Sequence, residues 1–118
     1  MGLISKPAKV VSNWVAFGNT TAKDLFTLPA GARPLRFLVD VDTAFNDSGT
    51  DLLDIGKPGT AAYFANDVDV SSTGATAVAP PNNDELTLQT TVTATYTGQN
   101  GNASAGMAQV ICEYMSPF

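Results

Sequence analysis

The chain has 118 residues, 44% hydrophobic and 14% charged, with eleven acids against six lysines and arginines and a formal net charge of −5. That is one domain, long enough to bury about two thirds of its extended-chain surface. The lack of histidine removes the commonest general base and metal ligand, and the single cysteine, Cys112, builds neither an internal disulfide nor a thiolate cluster, so zinc chemistry and triad hydrolysis are excluded.

Residues 1–8 contain Pro7 and no clear period, and are expected to form a flexible N-terminal arm that orders against a partner. A single domain is expected over 9–118. Met1-Gly2 opens a myristoylation pattern, but that pattern wants Ser or Thr where Lys6 stands. No stretch has the length and apolarity of a membrane span or a secretory signal, so no membrane partner is expected.

Strands are expected at 9–17 and 23–28. In 34–45, Leu35, Phe37, Val39 and Val41 alternate with Arg36, Leu38, Asp40 and Asp42, the period-two pattern of a half-buried strand. Shorter strands follow at 51–56 and 61–65, and 71–84, with Pro80-Pro81 and many small residues, reads as a surface loop. In 85–97, Leu86, Leu88, Thr90, Val92, Ala94 and Tyr96 share one side, and the threonines opposite suit a pleated backbone. Residues 98–106, with glycines at 98, 101 and 106, read as a mobile hairpin tip before a last strand at 107–115 that buries Cys112. The expected fold is all-β: an antiparallel β-sandwich or jelly-roll-like barrel of about seven to eight strands, with no sustained helix.

The acids Asp40, Asp42, Asp47, Asp51, Asp54, Asp67 and Asp69 offer enough oxygen to raise a calcium site, but they lack the EF-hand spacing and fall on a solvent-facing strand side or around turns. No carboxylate pair stands out for glycoside hydrolysis, and the glycines near residue 100 match no phosphate-cradling spacing. Asn19, Asn46 and Asn102 head glycosylation-type triplets of the kind that Asn- and Ser-rich loops generate by chance. Trp14, Tyr63 and Tyr96 sit within strand patterns and are expected in the core rather than on a sugar-stacking surface. Lys6, Lys9, Lys23, Arg33, Arg36 and Lys57 are scattered along an acidic chain, so no nucleic-acid partner is expected. Asn46-Asp47-Ser48-Gly49 supplies the conformations of a turn, and as a loop at the end of a sandwich it is also a candidate contact.

Leu28-Pro29-Ala30-Gly31-Ala32 leads into the strand Leu35 to Phe45, followed by Asn46-Asp47-Ser48-Gly49, Asp54-Ile55-Gly56 and a closing strand from Gly106 to Tyr114. From about residue 10 onward this order resembles the small β-rich virion proteins of tailed bacteriophages. The resemblance implies a non-enzymatic capsid decoration (cement) protein or another small structural component, without a cofactor, made in the host cytoplasm and placed on the capsid surface of the virion. It implies the major capsid protein of the same virion as partner and a homo-oligomer, expected as a trimer. The expected contacts are Leu3, Ile4, Lys6 and Pro7 of the arm and Asn46 and Asp47 of the turn. Rival readings are a receptor- or carbohydrate-binding module of a fibre or tail, using exposed aromatics and the loops at 71–84 and 98–106, and a tail-tube or connector subunit.

Overall fold

The computed structural model describes residues 6–117. They form nine strands and no helix: β1 (Lys6–Val11), β2 (Val15–Ala16), β3 (Lys23–Leu28), β4 (Arg33–Thr43), β5 (Asp51–Lys57), β6 (Thr60–Asp69), β7 (Gly74–Val78), β8 (Thr90–Gly98) and β9 (Met107–Ser116). One sheet has the order β1-β9-β4-β7, with β2 also on β9; the other has the order β3-β8-β5-β6. All pairings are antiparallel. From β2 onward every connection crosses between the sheets except the β5–β6 turn, so the chain closes an all-β sandwich.

Alternation dictates which side of each strand is buried. Phe37, Val39 and Val41 of β4 lie opposite Cys112, Val110 and Ala108 of β9, and all six are buried. From the second sheet Val92, Ala94 and Tyr96 of β8 and Leu53 and Ile55 of β5 close over them. Two ring pairs mark this interior: Phe37 and Phe64 at 5.2 Å and Phe45 and Tyr96 at 4.7 Å between centroids. Each large side chain removed from water here contributes about 1.5–3 kcal/mol before its lost conformational freedom is set against it.

Local chemistry shifts the expected boundaries in four places. The strand expected over 9–17 is interrupted after β1: Ser12 donates its N–H to the Val110 carbonyl and its Oγ accepts the Val110 N–H, both at 2.8 Å, and the chain rejoins β9 only at Val15. In β4 a bulge between Pro34 and Arg36 buries Pro34 and turns Leu35 to solvent, 45% exposed, against the side expected for it. β8 starts at Thr90 rather than 85, because Leu86 spends its backbone on the 29–32 turn, accepting from Gly31 and donating to Ala32; Leu88 is left 75% exposed. The loop expected over 71–84 contains β7, an edge strand on Phe37–Val41.

Of the arm expected over 1–8, Lys6–Ala8 lie in β1 opposite Ser116–Tyr114, and residues 1–5 lie outside the described residues. Cys112 is fully buried, and burial, with the negative charge of Glu113 second, pushes its thiol up to about 12.

Burial of Phe37 and Cys112 leads to two expected outcomes. Phe37→Ala lowers the unfolding free energy by about 3–5 kcal/mol, measured by urea denaturation. Cys112 of the native protein stays unmodified by a thiol reagent at pH 8 and reacts fully once the chain is unfolded.

Candidate functional site

Two crossing connections leave the sandwich at the same end: residues 44–50 between β4 and β5, and residues 99–106 between β8 and β9. Register explains the juxtaposition, because Asp51 pairs with Gly98 and Thr43 with Met107. The side chains of the first connection bond both the backbone and the side chains of the second. Asp47, only 7% exposed, accepts from the N–H of Gly49 at 2.7 Å, of Asn100 at 3.0 Å and of Asn102 at 3.0 Å. Asn46 Oδ1 accepts from Ser104 at 2.7 Å and Ala105 at 3.0 Å. Ser48 Oγ accepts from the side-chain amides of Asn100 and Asn102, both at 2.8 Å. Gln99 closes the far side, donating its N–H to the Thr50 carbonyl and accepting from the Thr50 N–H.

Below this layer Asp51 joins loop to core. It is buried, and its Oδ1 accepts from the Tyr96 hydroxyl at 2.6 Å and from the Asp47 N–H at 2.9 Å. Burial first, then the hydrogen bond to Asp51 and the charges of Asp51 and Asp47, raise the Tyr96 phenol above its ordinary range and keep it a donor. Gly98 permits the approach: a Cβ there would lie 2.6 Å from Asp47 Oδ2 and 2.8 Å from the Tyr96 hydroxyl. Gly106 likewise lies where a Cβ would overlap the Phe45 ring. The segment expected as a mobile tip is therefore cross-braced through Asn46, Asp47, Ser48 and Gln99.

The remaining acids serve turns in the same way or face solvent. Asp54 accepts from the Asp67 N–H and Asp69 from the N–H and hydroxyl of Ser71, while Asp40 and Asp42 are exposed on β4. Among the described residues no three acids or cysteines converge as metal ligands would. An open recess of about 590 Å³ lies beside Lys57, Tyr63, Asp84, Glu85 and Leu88, with the Lys57 ammonium 4.0 Å from the Tyr63 ring centre. Of the three aromatics expected in the core, Tyr96 is buried and Tyr63 half-buried, whereas Trp14 is 41% exposed at the break between β1 and β2.

The expected contact residues divide between the two ends of the first sheet. Asn46, exposed, and Asp47, buried in its own bonds, follow β4 at the Met107 end of β9. Lys6 and Pro7 are exposed at the other end, opposite Ser116 and Met115 on edge strand β1. Leu3 and Ile4 lie outside the described residues. Three of the six basic residues group around β9: Lys9 and Arg36 both lie opposite Glu113, Arg33 lies opposite Met115, and Arg36 Nε pairs with Glu113 at 2.7 Å, whereas Lys23 and Lys57 lie on the second sheet.

The brace carries a pH signature. Burial acts to raise the Asp47 carboxyl, but the N–H donors of Gly49, Asn102, Asn100 and Gly101 together outweigh it and hold the group below its ordinary 3.8. As pH falls the unfolded chain takes up this proton first. The stabilisation is therefore complete above about pH 5 and is lost as pH drops through 3.8 and then through the lower folded value. Asp47→Asn should lower the melting temperature at pH 7 by about 5 °C or more and speed amide exchange at Asn100–Asn102. The gap between wild type and variant should narrow steadily below about pH 4, as thermal melts across pH will register.

The sequence matches no protein-family model and no curated protein sequence. Its structure is similar to chains in three phage capsids. A chain of the cyanophage Pam1 capsid asymmetric unit aligns with a TM-score of 0.74 at 20% identity, covering 99% of this chain and 89% of that one. A chain in the acidic stable capsid of Helicobacter pylori bacteriophage KHP30 aligns at 0.68 and 20% identity, over 98% and 95%. A chain in the capsid of Ralstonia phage GP4 aligns at 0.67 and 15% identity, over 96% and 84%. At these identities the likeness establishes a shared fold across nearly the whole length of each chain.

Proposed function

We propose that this protein is a non-enzymatic structural component of a tailed-phage virion, a capsid decoration protein held on the outer surface of the head by the major capsid protein. The observation that carries the reading is the whole-length match to chains of similar size from three phage capsids. The strand order supports it: pairing β1-β9-β4-β7 against β3-β8-β5-β6 reads as a jelly roll, an architecture that viral capsid domains use. The polar chemistry points the same way. The bonded acids of the loop end are spent on backbone N–H groups of both loops and on the Tyr96 hydroxyl, so the arrangement serves to fix loop shape rather than to move protons.

A decoration protein works through many modest contacts repeated over a shell. Here the contacts belong to the braced loop end, led by exposed Asn46, and to the arm preceding β1, with Lys6 and Pro7 at its base. Purified protein mixed with shells lacking it should co-sediment with them and saturate at a fixed number of copies per shell; shells that pellet alone at saturating protein contradict the reading. Deleting residues 1–5 spares β1 and should weaken shell binding at least tenfold with an unchanged melting temperature. Equal binding by the shortened chain removes the arm from the account.

The exposure of Trp14 favours one second reading, a carbohydrate-binding module, since a solvent-facing indole offers a surface on which a sugar ring stacks. Glycan-array binding that disappears in Trp14→Ala is the outcome that favours it.

A further inference from the structure

The outer face of the β1-β9-β4-β7 sheet has a pattern that the proposed role does not use. Register places its residues in rows across the strands. The central row is apolar: Val11, Ile111, Leu38 and Ala77, with Val11 48% exposed. The row on one side holds Lys9, Glu113 and Arg36, and beyond it lie Pro7, Met115 and Arg33. The row on the other side holds Gln109, Asp40 and Ala75, and beyond it lie Ala16, Met107 and Thr43, with Asp42 in the adjacent bulge. Along β4 the outward charges therefore run Arg33, Arg36, then Leu38, then Asp40, Asp42. The strand is positive at one end, negative at the other and apolar between.

We propose that this face receives a second copy of the chain, face to face, about a two-fold axis lying along the Val11–Ile111–Leu38–Ala77 row. Such an axis sets each central residue against its own copy and exchanges the flanking rows. Arg36 then meets Asp40 of the second copy, Glu113 meets Gln109, Met115 meets Met107, and Arg33 meets the Asp42–Thr43 bulge. Charge complementarity selects this occupant. The face matches itself in opposite signs about an apolar centre, although two chains of charge −5 repel at long range. The row positions named, on strands about 4.8 Å apart with rows about 6.8 Å apart, give a plan area on the order of 500 Å² per copy, so the pair is a weak one, with dissociation in about the micromolar range. The pairing does not depend on the capsid role, and it differs from the trimer that the sequence resemblance implied.

Sedimentation velocity on the full-length protein from 1 to 500 µM tests it. Wild type should pass from monomer to dimer in that range, and 1 M salt should weaken the dimer. D40K and R36E each set like charges against one another and should weaken it at least tenfold. R36E/D40K restores opposite signs at both symmetric contacts, with Lys9 still opposite Glu113, and should return to within about threefold of wild type. L38D, which sets two carboxylates on the axis, should leave only monomer. D40K changes an exposed residue, and its unchanged melting temperature serves as the folding control should L38D fail to fold. A wild type that stays monomeric to 500 µM overturns the proposal, as does a dimer or trimer indifferent to D40K, or a double variant no better than the singles. Because shell binding is a separate assay, failure here leaves the capsid reading standing, and failure there leaves this one.

Discussion

The structure depends on one constraint: alternate residues of β4 and β9 must face alternate residues of β8 and β5 across a single apolar interior. Phe37, Val39 and Val41 meet Val92, Ala94 and Tyr96 because both runs keep strict period two through their central residues. A one-residue slip in either run would turn its apolar set to water. The crossing connections follow, since consecutive strands placed in opposite sheets can be joined only around the ends of the sandwich. Those ends and the two outer faces are thus where surface chemistry is free to vary.

At the Asp47 end that freedom is used for rigidity. An eight-residue connection with glycines at 101 and 106 would sample many conformations by itself, and ordering it costs conformational entropy. Asp47 offsets this by presenting a charged acceptor to a cluster of backbone donors, and the Asp51–Tyr96 bond anchors the arrangement in the core. The same carboxylate that would suit a cation in a more open setting here satisfies peptide N–H groups. Its protonation is therefore coupled to loop order.

Much of the fold was legible from residue patterns. The alternation of Phe37, Val39 and Val41 and of Val92, Ala94 and Tyr96, the bounded runs at 23–28, 51–56 and 107–115, and the burial of Cys112 all appear in the structure as read. What escaped was decided by partners far away in sequence. Leu35 looks inward by parity until the Pro34–Arg36 bulge reverses it, and Leu88 continues an alternation that the sheet does not extend to. β7, composed of Gly, Ala, Thr, Ala and Val, carries too little apolar contrast to announce itself, yet it completes the sheet on β4. The brace had a sequence signal in hindsight, since an Asn-Asp-Ser turn and an Asn-rich loop are matched sets of donors and acceptors, but only register brings them together. The grouping of Lys9, Arg33 and Arg36 around β9 was invisible for the same reason, and the linear sequence read as scattered charge.

The buried half of this protein accounts for its stability and the exposed half for the role proposed for it: a fixed loop end, the edge strand β1 and an outer sheet face of graded charge, repeated over a shell. Electron cryo-microscopy of intact virions from the same source as this chain tests that claim most directly. The account expects the sandwich in repeated positions on the outside of the head, with residues 1–8 or the 44–50 and 99–106 loops against the major capsid protein. Density for the chain only in a fibre, tail tube or connector, or its absence from the particle, would contradict it.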